Sequence, residues 1–153
     1  MMIPKIQELI NQAQDRYLAS EELGLMESYI SSLPDRLKLY KFIRDREIDI
    51  LQSVADQVSI ELPNVAVEDL ENGIKNLILV VRYCSMAMLL NDEAFLKQRL
   101  LDWLEGIMSM RDMRRLNETL YRLLNQVMRQ QLSPAQLALI QPLITAAQVT
   151  LIY

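Results

Sequence analysis

Leu79-Val-Val-Arg-Tyr-Cys-Ser-Met-Ala-Met-Leu-Leu-Asn-Asp-Glu-Ala-Phe-Leu-Lys-Gln-Arg-Leu-Leu-Asp-Trp103 is the stretch on which the reading of this chain turns. It closes a segment from about Val67 to Leu90 that is the most apolar of the chain, with Leu77 to Val81 unbroken by charge. A helix apolar on nearly all sides has no face to give to water, so it belongs at the centre of a helical domain. Asn91-Asp92 then interrupts the pattern with side chains suited to cap a new helix across Leu96, Leu100, Leu101, Leu104 and Met108.

Downstream, Leu116, Leu120, Leu123, Leu124 and Val127 mark the next helix, and Ser133-Pro134 starts the last, whose Leu137, Ile140, Ile144 and Val149 continue past Pro142. Upstream, Leu33, Leu37, Tyr40, Ile43, Ile50, Leu51, Val54 and Val58 trace a helix that starts at Pro34, where proline suits a first turn, and bends if anywhere between Arg44 and Glu47. Pro63 stops it, because the ring removes a donor and displaces Leu62 from helical angles. Before it, Ile3, Ile6, Ile10 and Ala13 predict a short helix at 3–15, and Ser20 with Glu21 and Glu22 predicts another at 20–31, capped by the hydroxyl. Connections are short and no repeat appears, so residues 1–153 read as one domain, a helical hairpin (1–32) ahead of a core (33–153).

Composition agrees with an all-α fold: three Gly and five Pro stand against nine Met and many Leu, Ile, Ala and Gln in 153 residues. The lone Cys84 excludes an internal disulfide, and no uncharged apolar run approaches the ~20 residues of a bilayer span. Met1-Met-Ile-Pro-Lys-Ile-Gln-Glu is polar within every turn and lacks a signal-peptide core. The expectation is a soluble cytoplasmic protein without membrane insertion. Sixteen basic against twenty acidic residues, with no long run of either sign, give no basis for nucleic-acid binding. Arg111-Asp-Met-Arg-Arg115, followed by Glu118, reads as a solvated helix face.

The chemistry is sparse. With no His, ordinary haem ligation and a Cys/His nucleophile are both excluded, and Met at helical spacing fills cores. Glu21/Glu22 and Glu68/Asp69 lie at helix starts, where acids favour the positive end, and adjacent helical residues diverge by ~100° rather than pairing. No phosphate loop, Ser-His-Asp set or metal spacing occurs, so nothing argues for an enzyme.

Val81-Arg-Tyr-Cys-Ser-Met-Ala-Met-Leu-Leu-Asn-Asp92 resembles the Leu-Arg-Tyr-x-Thr-Tyr-Ala-Met-Leu-Ala-Gly-Asp run of β-type phycobiliproteins, the pigment subunits of cyanobacterial antennae. Gln12-Ala-Gln-Asp-Arg-Tyr-Leu-Ala-Ser-Glu-Glu-Leu23 is similar to that family's Asp-Ala-Glu-Ala-Arg-Tyr-Leu-Ser-x-x-Glu-Leu, and Arg36-Leu through Ile50, Gln52, Ala55-Asp-Gln57 and Pro63-Asn-Val follow its next helix. The resemblance implies a globin-like helical core with two additional N-terminal helices that dock on a partner subunit.

It also implies what is missing. Counting back from Arg82, the family's Cys-x-x-Asp falls on Gly73, Ile74, Lys75 and Asn76, and the chain between Pro63 and Gly73 is several residues shorter. Glycine offers no sulfur for a thioether, and Asn76 can accept a hydrogen bond but not neutralise a protonated tetrapyrrole. The expected role is therefore a chromophore-free, dimeric accessory protein in bilin biosynthesis, bilin handling or phycobilisome assembly. It holds no permanent cofactor. Any bilin contact is non-covalent and transient, along Asn72, Lys75, Asn76, Leu79 and Arg82, with Lys75 or Arg82 meeting a propionate. The alternative is a pigment-bearing antenna or sensor subunit attached at Cys84, which requires that thiol to face a pocket.

In the family an arginine matching Arg82 joins subunits by pairing with a partner's acid; that acid falls on Gln12 here, and Asp15 stands one turn later as a substitute. Ile3, Ile6, Ile10, Tyr17, Leu25, Met26 and Tyr29 offer more apolar surface than two short helices bury on themselves, which predicts association through the hairpin. The expected partner is a second copy or another phycobiliprotein-like subunit, with bilin-biosynthesis enzymes or phycobilisome proteins beyond it.

Overall fold

The computed structural model describes residues 4–108 and 113–152. In chain order the helices are α1 (Pro4–Ala13), α2 (Ser20–Glu61), α3 (Val67–Leu90), α4 (Glu93–Leu96), a π-helical turn (Lys97–Leu101), α5 (Asp102–Met108), α6 (Arg114–Gln131) and α7 (Pro134–Ile152). No strand occurs among the described residues. The chain is all-α, as its composition predicts.

Helix α3 occupies the centre and packs against α2, α6 and α7. Its Leu77, Val80, Val81, Ala87 and Met88 meet Leu39, Ile43, Ile50, Val54 and Val58 of α2, Leu120, Leu124 and Met128 of α6, and Ile140, Ile144 and Ala147 of α7 in one buried cluster. Each large aliphatic side chain so buried contributes about 1.5–3 kcal/mol. The bounds of α3 match those read from its apolar run. Asn91 ends it in the left-handed region at φ 50°, and the Asp92 side chain accepts the Phe95 N–H at 3.1 Å to start α4. Asparagine tolerates that backbone and aspartate caps well, so the two residues divide the tasks of stopping and starting.

The N-terminal half departs from expectation. Residues 20–31 and 33–62 are not separate helices: α2 runs unbroken from Ser20 to Glu61, with Pro34 inside it and no break between Arg44 and Glu47. The boundary drawn between residues 32 and 33 therefore falls within one helix. Proline forfeits a backbone bond and crowds the preceding turn, but the flanking turns are tied to α3. Arg36 Nη1 donates to the Met88 carbonyl at 2.6 Å and Tyr29 Oη to the Leu89 carbonyl at 3.0 Å. Those carbonyls belong to the last turn of α3, where intrahelical donors run out. Ser32 Oγ accepts from Arg36 Nε at 2.8 Å and donates to the Tyr29 carbonyl at 2.7 Å, so both sides of Pro34 are held in helical register. Ser20 is the first residue of α2 rather than its cap, and the Ala19 N–H is satisfied by Glu22 Oε1 at 2.9 Å.

Two further differences lie near the C-terminal half. The helix expected across Leu96–Met108 contains a π turn, and Leu96, Leu100, Leu101 and Leu104 are all buried. Its wider turn brings residues five apart toward one face, which lets this uneven leucine spacing point inward throughout. Helices α3 and α7 are also each long and apolar enough, by length and composition, to cross a membrane. The expectation that no segment approaches that size is corrected: uncharged Gln and Thr interrupt α7 without making it polar. In the fold α7 directs Ile140, Leu143, Ile144 and Ala147 into the core. Its start is a reciprocal cap, Gln136 N–H to Ser133 Oγ at 3.2 Å and Ser133 N–H to Gln136 Oε1 at 3.0 Å.

Replacing Pro34 by Ala is expected to stabilise the fold by about 1–3 kcal/mol, since the restored helical bond outweighs the added freedom of the unfolded chain. Urea denaturation followed by circular dichroism measures this; a loss of stability would mean that α2 is interrupted at Pro34.

Candidate functional site

Gly73 is buried on α3, on the side that faces α6. A Cβ built there would lie 2.9 Å from Leu120 Cδ1 and 3.3 Å from Leu116 Cδ2, inside the ~3.5–4.0 Å of ordinary carbon contact. Leu116 and Leu120 are four residues apart on α6, so they present neighbouring branched side chains to this one spot. Both are buried. The position that the resemblance sets at an attachment cysteine holds no thiol, and a side chain there would require the Leu120 and Leu116 methyl groups to shift.

The other groove residues occupy the outer side of α3. Asn72 and Lys75 are exposed, and Asn76 and Leu79 are half-buried. Arg82 turns toward α2 instead: its Nε donates to Glu47 Oε1 at 2.7 Å and its Nη2 to Oε2 at 3.0 Å. This two-pronged pair raises the Arg82 pKa and sets the guanidinium in a recess of about 320 Å³ with Tyr40, Ile43, Arg44, Val81 and Ser85. Arg82 thus has an acid within its own chain. Glu47 was not legible as its partner because the two lie thirty-five positions apart and only the α2–α3 crossing joins them.

Of the expected association surface, Ile3 lies outside the described residues. Ile6, Met26 and Tyr29 are half-buried, whereas Ile10, Asp15, Tyr17 and Leu25 are exposed, Tyr17 by 99%. Leu9, not singled out from the sequence, is the residue by which α1 seals itself. Arg16 joins α1 to the start of α2, meeting both Glu22 oxygens at 2.7 and 3.1 Å and Gln12 Oε1 at 3.1 Å. A recess of about 430 Å³ remains beneath α1, lined by Ile6, Leu9, Leu25, Tyr29 and Arg36 among others. Burial lowers the Arg36 pKa and raises that of Tyr29. Part of the hairpin's apolar surface is therefore spent inside the chain, and of the apolar residues expected to associate, Ile10, Tyr17 and Leu25 are exposed.

Cys84 is fully buried, and burial pushes its thiol up to about 12. The alternative attachment at Cys84 requires the thiol to face a pocket, and here it lies in the core cluster. Arg111 and Asp112 of the basic cluster lie outside the described residues, and Arg114 pairs with Glu118 at 3.1 Å on the surface. Among the described residues no three of His, Cys, Asp and Glu stand together as a metal site.

The buried thiol carries a pH signature. Unfolded Cys84 ionises near 9.0 and folded Cys84 near 12, so the folded state holds one more proton between those values. Its contribution is complete below pH 9 and is lost as pH rises toward 12, at up to about 1.4 kcal/mol per pH unit. Tyr121, whose hydroxyl burial also raises, steepens the loss above pH 10. Urea denaturation between pH 8 and 11 is expected to show this decline, reduced in Cys84→Ala. Reaction of the folded protein with a thiol reagent at neutral pH would contradict it.

A family model described as phycobilisome protein matches residues 8–148. No match is found among curated proteins. Members of this family are structural light-harvesting proteins that assemble into oligomers with other subunits. The match runs from within α1 to within α7, across the whole all-α, globin-like core and both sides of Gly73. The chain belongs to the phycobilisome protein family.

Proposed function

We propose that this protein is a chromophore-free, phycobiliprotein-like accessory factor: a dimeric binding and assembly protein of the cyanobacterial cytoplasm, acting in bilin biosynthesis, bilin handling or phycobilisome assembly. The observation that carries the reading is Gly73. A family member whose attachment position holds no sulfur, and whose α6 leucines fill the space beside it, retains the assembly part of the family's role without the covalent pigment.

A bilin is held transiently and without a covalent bond along the solvent side of α3. Asn72, Lys75, Asn76 and Leu79 offer donors, one ammonium and an apolar edge, and Lys75 is the cation open to a propionate. Arg82 serves such a ligand only after leaving Glu47. The proposed role is binding rather than catalysis, and the one thiol of the chain, Cys84, is enclosed in the core. The partner is a phycobiliprotein-like subunit, a second copy or a different one, with bilin-biosynthesis enzymes or phycobilisome proteins as further contacts.

An absorbance titration with biliverdin and phycocyanobilin, followed by a denaturing gel stained with zinc, tests this. The expected result is a saturable spectral shift, weakened several-fold by Lys75→Glu, with a dark protein band. A fluorescent band would defeat the chromophore-free reading, and no spectral shift would restrict the role to protein partners.

A further inference from the structure

The outer face of α2 carries a row of large apolar residues left exposed among the described residues. Leu23, Ile30 and Leu37 recur every seven residues, with exposures of 45%, 54% and 44%, and Ile48 follows at 79%. Steps of seven and eleven residues return to within ~20° of the same direction on an α-helix, so the four share one stripe. Met26, Leu33 and Tyr40, half-buried, flank it at three- and four-residue spacing. The core takes the opposite side of α2 through Leu39, Ile43 and Ile50, and α1 covers the side that bears Leu25, Tyr29 and Arg36. The stripe is left outside both.

Its charges are arranged head to tail. Glu27 flanks the stripe in its first half and Lys41 in its second, where Asp45 is paired with Arg44 at 2.9 Å. The pattern is symmetric to within about one residue around Asp35. Leu23 lies twelve residues before it and Ile48 thirteen after; Ile30 lies five before and Tyr40 five after; Glu27 lies eight before and Lys41 six after.

We propose that this stripe seats a second copy of the same chain, laid antiparallel along α2 about a two-fold axis near Asp35. In that arrangement Leu23 meets the partner's Ile48, Ile30 meets the partner's Leu37 and Tyr40, and Glu27 meets the partner's Lys41, each contact made twice by symmetry. A parallel pair sets Glu27 on Glu27 and Lys41 on Lys41, which repels. The seam spans about 39 Å at 1.5 Å per residue. This deepens the dimeric part of the proposed function by naming its surface, and it stands whether or not a bilin binds.

The test is sedimentation equilibrium of the full chain and four variants, with circular dichroism to verify folding: Ile30→Glu, Glu27→Lys, Lys41→Glu and the charge-swapped double. All three positions are exposed, so the variants keep the core intact. The wild type is expected to dimerise with a dissociation constant on the order of micromolar, as suits a single helical seam. Ile30→Glu weakens the dimer at least about tenfold, each single reversal weakens it about threefold or more, and the double returns to near the wild-type value. A wild type that stays monomeric at roughly 100 µM, a dimer indifferent to Ile30→Glu, or a double variant weaker than either single reversal would overturn the proposal. A spectral titration of the Ile30→Glu monomer separates its failure from that of bilin handling, because the α3 strip is unaltered in that variant.

Discussion

The contact that organises this molecule is the one between α3 and α6 at Gly73. A methyl group there would come within 2.9 Å of a Leu120 methyl, so glycine at this position leaves room for the leucine side chains of α6. Close approach lets Leu116, Leu120 and Leu124 of α6 enter the core with Leu77, Val80 and Val81 of α3.

A second constraint acts at the far end of α3. A helix that ends inside a fold leaves carbonyls without intrahelical donors, and here Arg36 and Tyr29 reach across to Met88 and Leu89. Those two bonds fix α2 on either side of Pro34 and make one helix of what would otherwise be a hairpin arm and a core helix. The length of α2 has a consequence for function. It carries the Leu23, Ile30, Leu37 and Ile48 stripe past the core as one continuous edge, and it brings Glu47 to Arg82. An arginine expected to reach for a partner's acid is occupied at home, so the association surface shifts toward residues that remain uncovered.

Much of the fold was legible because its punctuation is local. Pro63, Ser133 and the Asn91-Asp92 pair mark helix ends through donors, caps and allowed backbone angles that each residue carries with it. Gly73 could be located by counting from Arg82, but its meaning could not, because Leu116 and Leu120 approach it only through the tertiary packing of α6. Pro34 was misread for a similar reason: a first-turn preference is a local rule, and bonds to residues more than fifty positions away override it. The π turn at Lys97–Leu101 escaped because leucines at 96, 100, 101 and 104 satisfy a helical pattern loosely. Cys84 was correctly read as a core side chain from its apolar neighbours, whereas the ion pair of Arg82 with Glu47 required the crossing of two helices to be known.

The most direct measurement of the central claim is a double-mutant cycle between Gly73 and Leu120, with unfolding free energies from urea titration. In the intact protein Gly73→Ala gains about 1 kcal/mol of helix propensity but crowds a filled site, where overpacking costs about 1–3 kcal/mol. In the Leu120→Ala background the crowding is relieved and only the gain remains. The account predicts that Gly73→Ala destabilises the wild type and stabilises the Leu120→Ala protein. The same stabilising effect in both backgrounds would mean that α6 does not press on Gly73, and that the attachment position is open.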